Sequence, residues 1–185
     1  DGVSILGPAI SGDVVVAGAP GDDSIASNAG AAYVFRTSDG GTTYYQMAKL
    51  TAADAAAGVR FGHSVAIDGN TVVVGISPSS SSGSAYAFST TDGGGTWPQV
   101  AKLVASDGVS ISRVAISGDI VVAGASGDDS NAGAAYVFRT SDGGVTYDQV
   151  AKLMASDGAA GDEFGYSVTI DGNTVVVGAY LDDDA

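Results

Sequence analysis

The sequence predicts an all-β fold, a β-propeller of four-stranded antiparallel blades with three blades complete and half of a fourth. Three observations carry this. Of the 21 acidic residues all but Glu163 are Asp, and Gly occurs 28 times in 185 residues. Asp and Gly serve tight turns whereas Glu favours helices, so almost no helix is expected. A Val-rich segment recurs four times, and a Gly-Ala-Ala-Tyr-Val-Phe segment, followed each time by Ala-Lys-Leu, recurs three times with small changes.

The Val-rich copies are Ile10-Ser-Gly-Asp-Val-Val-Val-Ala-Gly18, Ile67-Asp-Gly-Asn-Thr-Val-Val-Val-Gly75, Ile116-Ser-Gly-Asp-Ile-Val-Val-Ala-Gly124 and Ile170-Asp-Gly-Asn-Thr-Val-Val-Val-Gly178. Strand one of each unit ends at the Ile. A two-residue hairpin turn follows, in which Gly supplies the positive φ. Strand two is the Val run, apolar on both faces and hence an interior strand. Strand three is Gly30-Ala-Ala-Tyr-Val-Phe35, Gly83-Ser-Ala-Tyr-Ala-Phe88 or Gly133-Ala-Ala-Tyr-Val-Phe138. Strand four leads into Ala-Lys-Leu at 48–50, 101–103 and 151–153, where a repeating Lys suits an exposed edge strand. The blades are placed at about 1–53, 54–106, 107–156 and 157–185, the last stopping after its second strand. Repeated four-stranded units of about this size are propeller blades rather than the shorter rungs of a solenoid.

Alternate units are more alike than neighbours. Units one and three share Ser-Gly-Asp at the hairpin, while two and four share Asp-Gly-Asn and carry Phe61-Gly62 and Phe164-Gly165. Units one and three have Ser4-Ile5 and Ser110-Ile111 at that place. A two-unit block of about a hundred residues has been duplicated.

The composition excludes several classes. A net charge of −14 repels phosphate backbones, so nucleic acid is not an expected partner. No apolar run approaches the roughly 20 residues of a membrane-spanning helix. No Cys is present, so disulfides and thiolate metal sites are excluded. The chain has no initiator Met or signal peptide and reads as mature or excerpted, with further blades or other subunits expected to complete a ring.

Phe61-Gly-His-Ser-Val-Ala-Ile-Asp-Gly-Asn-Thr-Val-Val-Val-Gly75, together with Ala17-Gly-Ala-Pro20, resembles the FG-GAP repeats of integrin α-subunit propellers and their microbial and algal relatives. The resemblance spans essentially the whole chain. It implies an extracellular or cell-surface propeller used for adhesion or protein interaction, with an organellar lumen as the alternative compartment. The turn between strands three and four resembles a second motif, the Asp-box. Thr90-Thr-Asp92-Gly-Gly94-Gly-Thr96-Trp97 matches in full, and the turns with Asp39, Gly41 and Thr43 or Asp142, Gly144 and Thr146 match with Tyr last. There the Asp is expected to accept turn N–H groups, Gly to take an unusual φ and the ring to pack beneath. Asp-boxes occur in sialidases but lie away from their active sites, so they read as a fold signal.

FG-GAP resemblance also raises calcium, since such repeats often carry an Asp-rich loop between strands one and two. Here that connection is only two or three residues, too short to wrap six to eight oxygens around Ca²⁺. The remaining calcium candidates lie between strands two and three, namely Asp22 and Asp23 with Asn28, Asp128 and Asp129 with Asn131, and Asp182 and Asp183 in the fourth unit. The competing reading is an acidic solvated rim where a partner docks, with Asn28 and Asn131 among its contacts. His63 aligns with Tyr166 and Ser112 and reads as packing or surface. The Arg residues carry no functional signal, and Arg36 and Arg139 are repeat equivalents. No nucleophile motif surrounds any Ser. The expectation is a non-enzymatic module contacting protein or glycan. The rivals are an accessory subunit docked on a large assembly such as a photosynthetic complex, and an Asp-box glycan hydrolase.

Overall fold

The computed structural model describes residues 6–77 and 83–183. Asp1, the Ser4-Ile5 copy, residues 78–82 of the second unit's serine-rich loop and Asp184 lie outside them. The described residues form fourteen strands and no helix. Strands β1 (Leu6–Ser11), β2 (Val14–Ala19), β3 (Ala31–Arg36) and β4 (Tyr45–Leu50) make the first antiparallel sheet in sequential order. Strands β5 (Ser64–Asp68), β6 (Thr71–Gly75), β7 (Ser84–Ser89) and β8 (Gln99–Val104) make the second. Strands β9 (Arg113–Ser117), β10 (Ile120–Ala125), β11 (Ala134–Arg139) and β12 (Asp148–Leu153) make the third. A two-stranded sheet follows, β13 (Phe164–Asp171) with β14 (Thr174–Ala179). The sheets are propeller blades that do not close into a ring.

First strands β1, β5, β9 and β13 stand beside one another in succession, which makes them the inner strands, with β4, β8 and β12 outermost. The inner hairpins turn at Gly12, Gly69, Gly118 and Gly172, all at φ 53–55°. Each first strand runs one residue past its Ile.

The Val run is buried on both faces in the second and third blades because each of these is sandwiched between two others. Val72, Val74, Tyr86 and Phe88 of the second blade pack with Val16, Val34 and Leu50 of the first. Val73, Ala85 and Ala87, on the opposite face of the same sheet, pack with Val121, Ala123, Tyr136 and Phe138 of the third. One face thus carries large rings and the other small residues, a complementarity that period-2 alternation delivers automatically.

Phe-Gly joins successive blades. Phe61 N–H donates to Ala29 O of the first blade at 2.9 Å, and its ring makes edge contacts with Tyr86 and Phe88 at 5.6 and 5.8 Å. Gly62 follows at φ 88°, and a Cβ there would run into Ala31 O and lie 2.9 Å from Ala19 N. The facing Gly18 of Gly-Ala-Pro is equally constrained, since a Cβ on it would collide with Gly62 O. Phe-Gly and Gly-Ala-Pro are therefore two halves of one close backbone crossing between blades.

The repeating Lys lies on the outermost strand, but its role is more specific than keeping an edge polar. Lys49, Lys102 and Lys152 pair across the ladder with Tyr33, Tyr86 and Tyr136, and each ammonium sits 5.3–5.5 Å from that ring. All three then reach an aspartate: Asp22 at 2.8 Å, Asp54 at 2.6 Å, and Asp107 with Asp128 at 2.8 and 2.6 Å.

Candidate functional site

Strand direction sorts the loops onto two ends. The inner hairpins and the turns between third and fourth strands share the lower end, shown by Thr37 N–H donating to Asp13 O and Thr90 N–H to Asn70 O, both at 3.0 Å. The loops between second and third strands, and the crossings between blades, share the upper end.

At the lower end each Asp-box-like turn closes around one carboxylate. Asp92 Oδ1 accepts Thr96 N–H at 2.9 Å and Thr90 Oγ1–H at 2.8 Å, and Oδ2 accepts Thr96 Oγ1–H at 2.8 Å. Asp39 and Asp142 repeat this with Thr43 and Thr37, and with Thr146 and Thr140. Gly41, Gly94 and Gly144 take φ 93–95° and donate N–H to the first Thr hydroxyl. Hydrogen bonds from Thr43 Oγ1, then Thr43 N–H and Thr37, hold the Asp39 carboxyl down at about 2, and equivalent bonds push Asp92 and Asp142 lower still. Trp97 is buried against the first blade and donates Nε1–H to Gly94 O at 3.2 Å. Every ligand of these carboxylates belongs to the turn itself, and Trp97 and Tyr147 pack in the cores shared with a neighbouring blade, so the arrangement braces the fold.

The upper end places the acidic loops differently from one another. Asp22 is buried and accepts from Lys49 Nζ, Ser24 N–H and the Tyr33 hydroxyl at 2.6–2.9 Å. Burial pushes its carboxyl up, but the bonds from Lys49, Ser24 and Tyr33 outweigh that and hold it far below the usual range. Asp128 is buried beside Lys152 and accepts the Tyr136 hydroxyl at 3.2 Å. Asp23 accepts the Asn28 N–H, whereas Asp129, Asp182 and Asp183 are exposed. Asn28 and Asn131 stand at φ 51° and 67°, and their carbonyls accept the N–H of Arg60 and Glu163 at 2.9 and 2.8 Å. Among the described residues no three His, Cys, Asp or Glu side chains are grouped to hold a metal. An ammonium, not an open ligand shell, faces the buried pair Asp22 and Asp128.

What the sequence reading missed lies on the inner part of this rim. Phe-Gly units contain a bulge: Gly62 and His63 both donate N–H to Gly75 O at 3.1 Å, and β13 shifts register between Phe164 and Ser167. The third unit has no such bulge, and β9 pairs with β10 in even register. Alignment pairs His63 with Ser112, yet the side chain that meets it is Arg113. Arg113 Nη1 lies 2.7 Å from His63 Nδ1, its Nε–H donates to Tyr166 O at 3.2 Å, and its guanidinium lies 5.4 Å from the centre of the Tyr166 ring. Tyr166 in turn stacks on Tyr180 at 4.6 Å. Burial, then Arg113 and Arg60, push the His63 imidazolium below its ordinary pKa, so the ring is neutral at physiological pH. Arg60, His63, Asn28, Pro20 and Gly21 line a cavity of about 300 Å³.

Comparison with known proteins follows the same lines. No curated protein sequence matches the chain. Among solved structures, Sqt1 of Saccharomyces cerevisiae matches with a TM-score of 0.57 at 12% identity, over 84% of this chain and 36% of that one. At that identity the likeness is one of fold, and the chain spans about a third of Sqt1's length. The profile of the FG-GAP repeat matches residues 8–35, 44–88, 97–138 and 147–185, which is most of the chain and all four units. The structure supplies the reason, because Phe61-Gly62 meets Gly18-Ala-Pro20 where the first blade crosses to the second, Phe164-Gly165 meets Gly124-Ala-Ser126 in the same way where the third crosses to the fourth, and so the chain belongs to the FG-GAP repeat family.

Proposed function

We propose that this chain is a non-enzymatic interaction module that presents its upper rim to a protein or glycan partner in an extracellular or cell-surface setting. One observation carries the reading. Blade scaffolds repeat nearly residue for residue, whereas the upper loops vary: the first and third share Gly-Asp-Asp-Ser but the first is longer by Ile25-Ala-Ser27, the second has a serine run and the fourth has Tyr180-Leu-Asp-Asp183. A constant frame with variable loops at one end is the arrangement of a recognition surface. Ile25, Tyr180 and Leu181 stand exposed there, apolar anchors among acids. The family's propeller fold supports protein contact in general, and adhesion is its more specific form.

The test is binding of the chain to a panel of immobilised extracellular glycoproteins and to a glycan array. Ile25→Asp with Leu181→Asp is expected to abolish whatever binding the chain shows, while Thr42→Ala at the lower end leaves it intact. Equal loss in both variants, or release of sugar from any array glycan, overturns the reading. A second reading, an accessory subunit docked on a larger assembly, is favoured by the open faces of the first and fourth blades. It requires binding that survives the rim substitutions but fails when Tyr44 and Gln46, on the first blade's open side, are made charged.

A further inference from the structure

Cations are scarce in this chain, 7 Lys and Arg against 21 acids, and they fall into two groups. The three Lys are each ion-paired with Asp. The four Arg have no carboxylate partner among the described residues; Arg36 and Arg139 stand at the lower end, whereas Arg60 and Arg113 stand on the upper rim, where acids outnumber them. Arg113 contacts the His63 ring at Nδ1 and is half-buried, whereas exposed Arg60 lines the same cavity as His63.

The fold does not require these residue types. Arg60 holds φ 55° and donates its N–H to Asn28 O; Glu163, in the same position of the fourth unit, holds φ 56° and donates its N–H to Asn131 O. The left-handed backbone is thus built equally well with Glu, and Tyr166 serves where His63 stands. The second unit brings a guanidinium and an imidazole, and the third unit adds the Arg113 guanidinium, in a place where the fourth unit has a carboxylate and a phenol.

Hydrogen-bond chemistry then specifies the ligand. Arg113 can only donate, so His63 Nδ1 accepts from it and the proton of the neutral ring sits on Nε2. Arg60 is likewise donor-only. The charged and ring groups lining the cavity, Arg60 and His63, are therefore donors, and Arg113 adds a second positive charge beside the ring. Their match is an acceptor-only anion with two oxygens in a plane, which is a carboxylate. The neighbouring Asp22 and Asp23 and the overall −14 charge disfavour a dianion or a polyanion. A cavity of about 300 Å³ suits one side chain or one sugar ring.

We propose that Arg60, His63 and Arg113 form a binding site for a single carboxylate carried by an otherwise uncharged ligand. This rests on the upper rim being the binding face and names its chemistry there. The probes are N-acetyl-aspartate N-methylamide and glucuronate, with N-acetyl-asparagine N-methylamide, glucose and inorganic phosphate as controls. Each is titrated at pH 7.5 into isotopically labelled chain while the His63 ring resonances are followed by NMR. Saturable shifts with either carboxylate, and none with its neutral analogue, are expected; which one saturates identifies the source as an acidic side chain or a sugar acid. Arg60→Gln weakens binding by about tenfold. Arg60→Glu, which the fourth unit shows the backbone accepts, abolishes it with no loss of melting temperature. The proposal is overturned if neither carboxylate saturates, if Arg60→Glu binds as the parent does, or if phosphate binds more tightly than both. Failure here leaves the array experiment untouched, because that reads Ile25 and Leu181 rather than the cationic mouth.

Discussion

Asp39, Asp92 and Asp142 each accept at least three hydrogen bonds from within their own turns, and these exist only in the folded chain. Their carboxyls titrate below the ordinary 3.8, Asp39 at about 2. A depressed folded pKa means the unfolded chain takes up the proton first. The contribution is complete above about pH 4 and is lost as pH falls through about 2. Melting temperature is therefore expected to hold steady from pH 7 to about 5 and to drop steeply below 4. Replacing all three with Asn should lower the melting temperature at pH 7 and flatten that acid slope; circular-dichroism melts that keep the parent's slope would sink the assignment. Asp22 makes a second case. Its carboxylate is held by the Lys49 ammonium, so calcium has to displace a bound cation. Millimolar Ca²⁺ against EDTA is expected to leave the parent's melting temperature unchanged and to raise that of Lys49→Met. A shift in the parent would show that calcium wins the carboxylate from Lys49.

At the scale of strands and turns the inter-blade crossing dominates. Phe61 is fully buried between two blades, so Phe61→Ala should cost about 3–5 kcal/mol. Phe164 occupies the same place in the half-blade but is only partly covered, and Phe164→Ala should cost clearly less. Gly62→Ala combines a positive φ with backbone collisions and should cost at least about 1 kcal/mol. Urea unfolding measures all three, and equal costs for the two Phe substitutions would contradict this account of the crossing. Strand order, hairpins and the two-faced Val run were legible in the sequence because each depends on neighbours within a few positions. The Lys partners were not, since Lys102 finds Asp54 across 48 positions, from one end of its unit to the other. Arg113 was hidden for another reason. Alignment names repeat equivalents rather than neighbours: Arg113 takes the place of Ser64, pairing with Gly124 as Ser64 does with Gly75, and only its long side chain brings it to His63 of the preceding blade.

For the molecule as a whole, the repeat makes the uncovered surfaces readable. Tyr86 and Phe88 on the second blade, and Tyr136 and Phe138 on the third, are 0–3% exposed because each lies against the preceding blade. Tyr33 and Phe35 hold the same positions on the first blade, are only partly buried, and face the side where no blade precedes them. Tyr44, the counterpart of buried Trp97, is 45% exposed on that side. The side-chain links between blades tell the same story: Arg36 reaches forward to Gly93 O of the second blade, and Gln99 and Gln149 accept N–H groups from the preceding crossings at 2.9 and 2.8 Å. Arg139 and Gln46 are the repeat equivalents of Arg36 and Gln99, and both are exposed. These vacant positions are those of a blade interface, so the surface that fits them is another FG-GAP blade, and since units alternate in type the first blade should accept one like the second. Stability in repeat arrays is a sum of unit and nearest-neighbour terms. Fusing an extra copy of residues 54–106 ahead of residue 1 is therefore expected to bury Tyr33 and Phe35 and raise unfolding free energy by about 3 kcal/mol. Slower amide exchange along β3, but unchanged exchange along β13, would mark the gain as local to the new interface. A fused chain that melts at the parent's temperature with β3 unprotected would show that this face is made for a different partner.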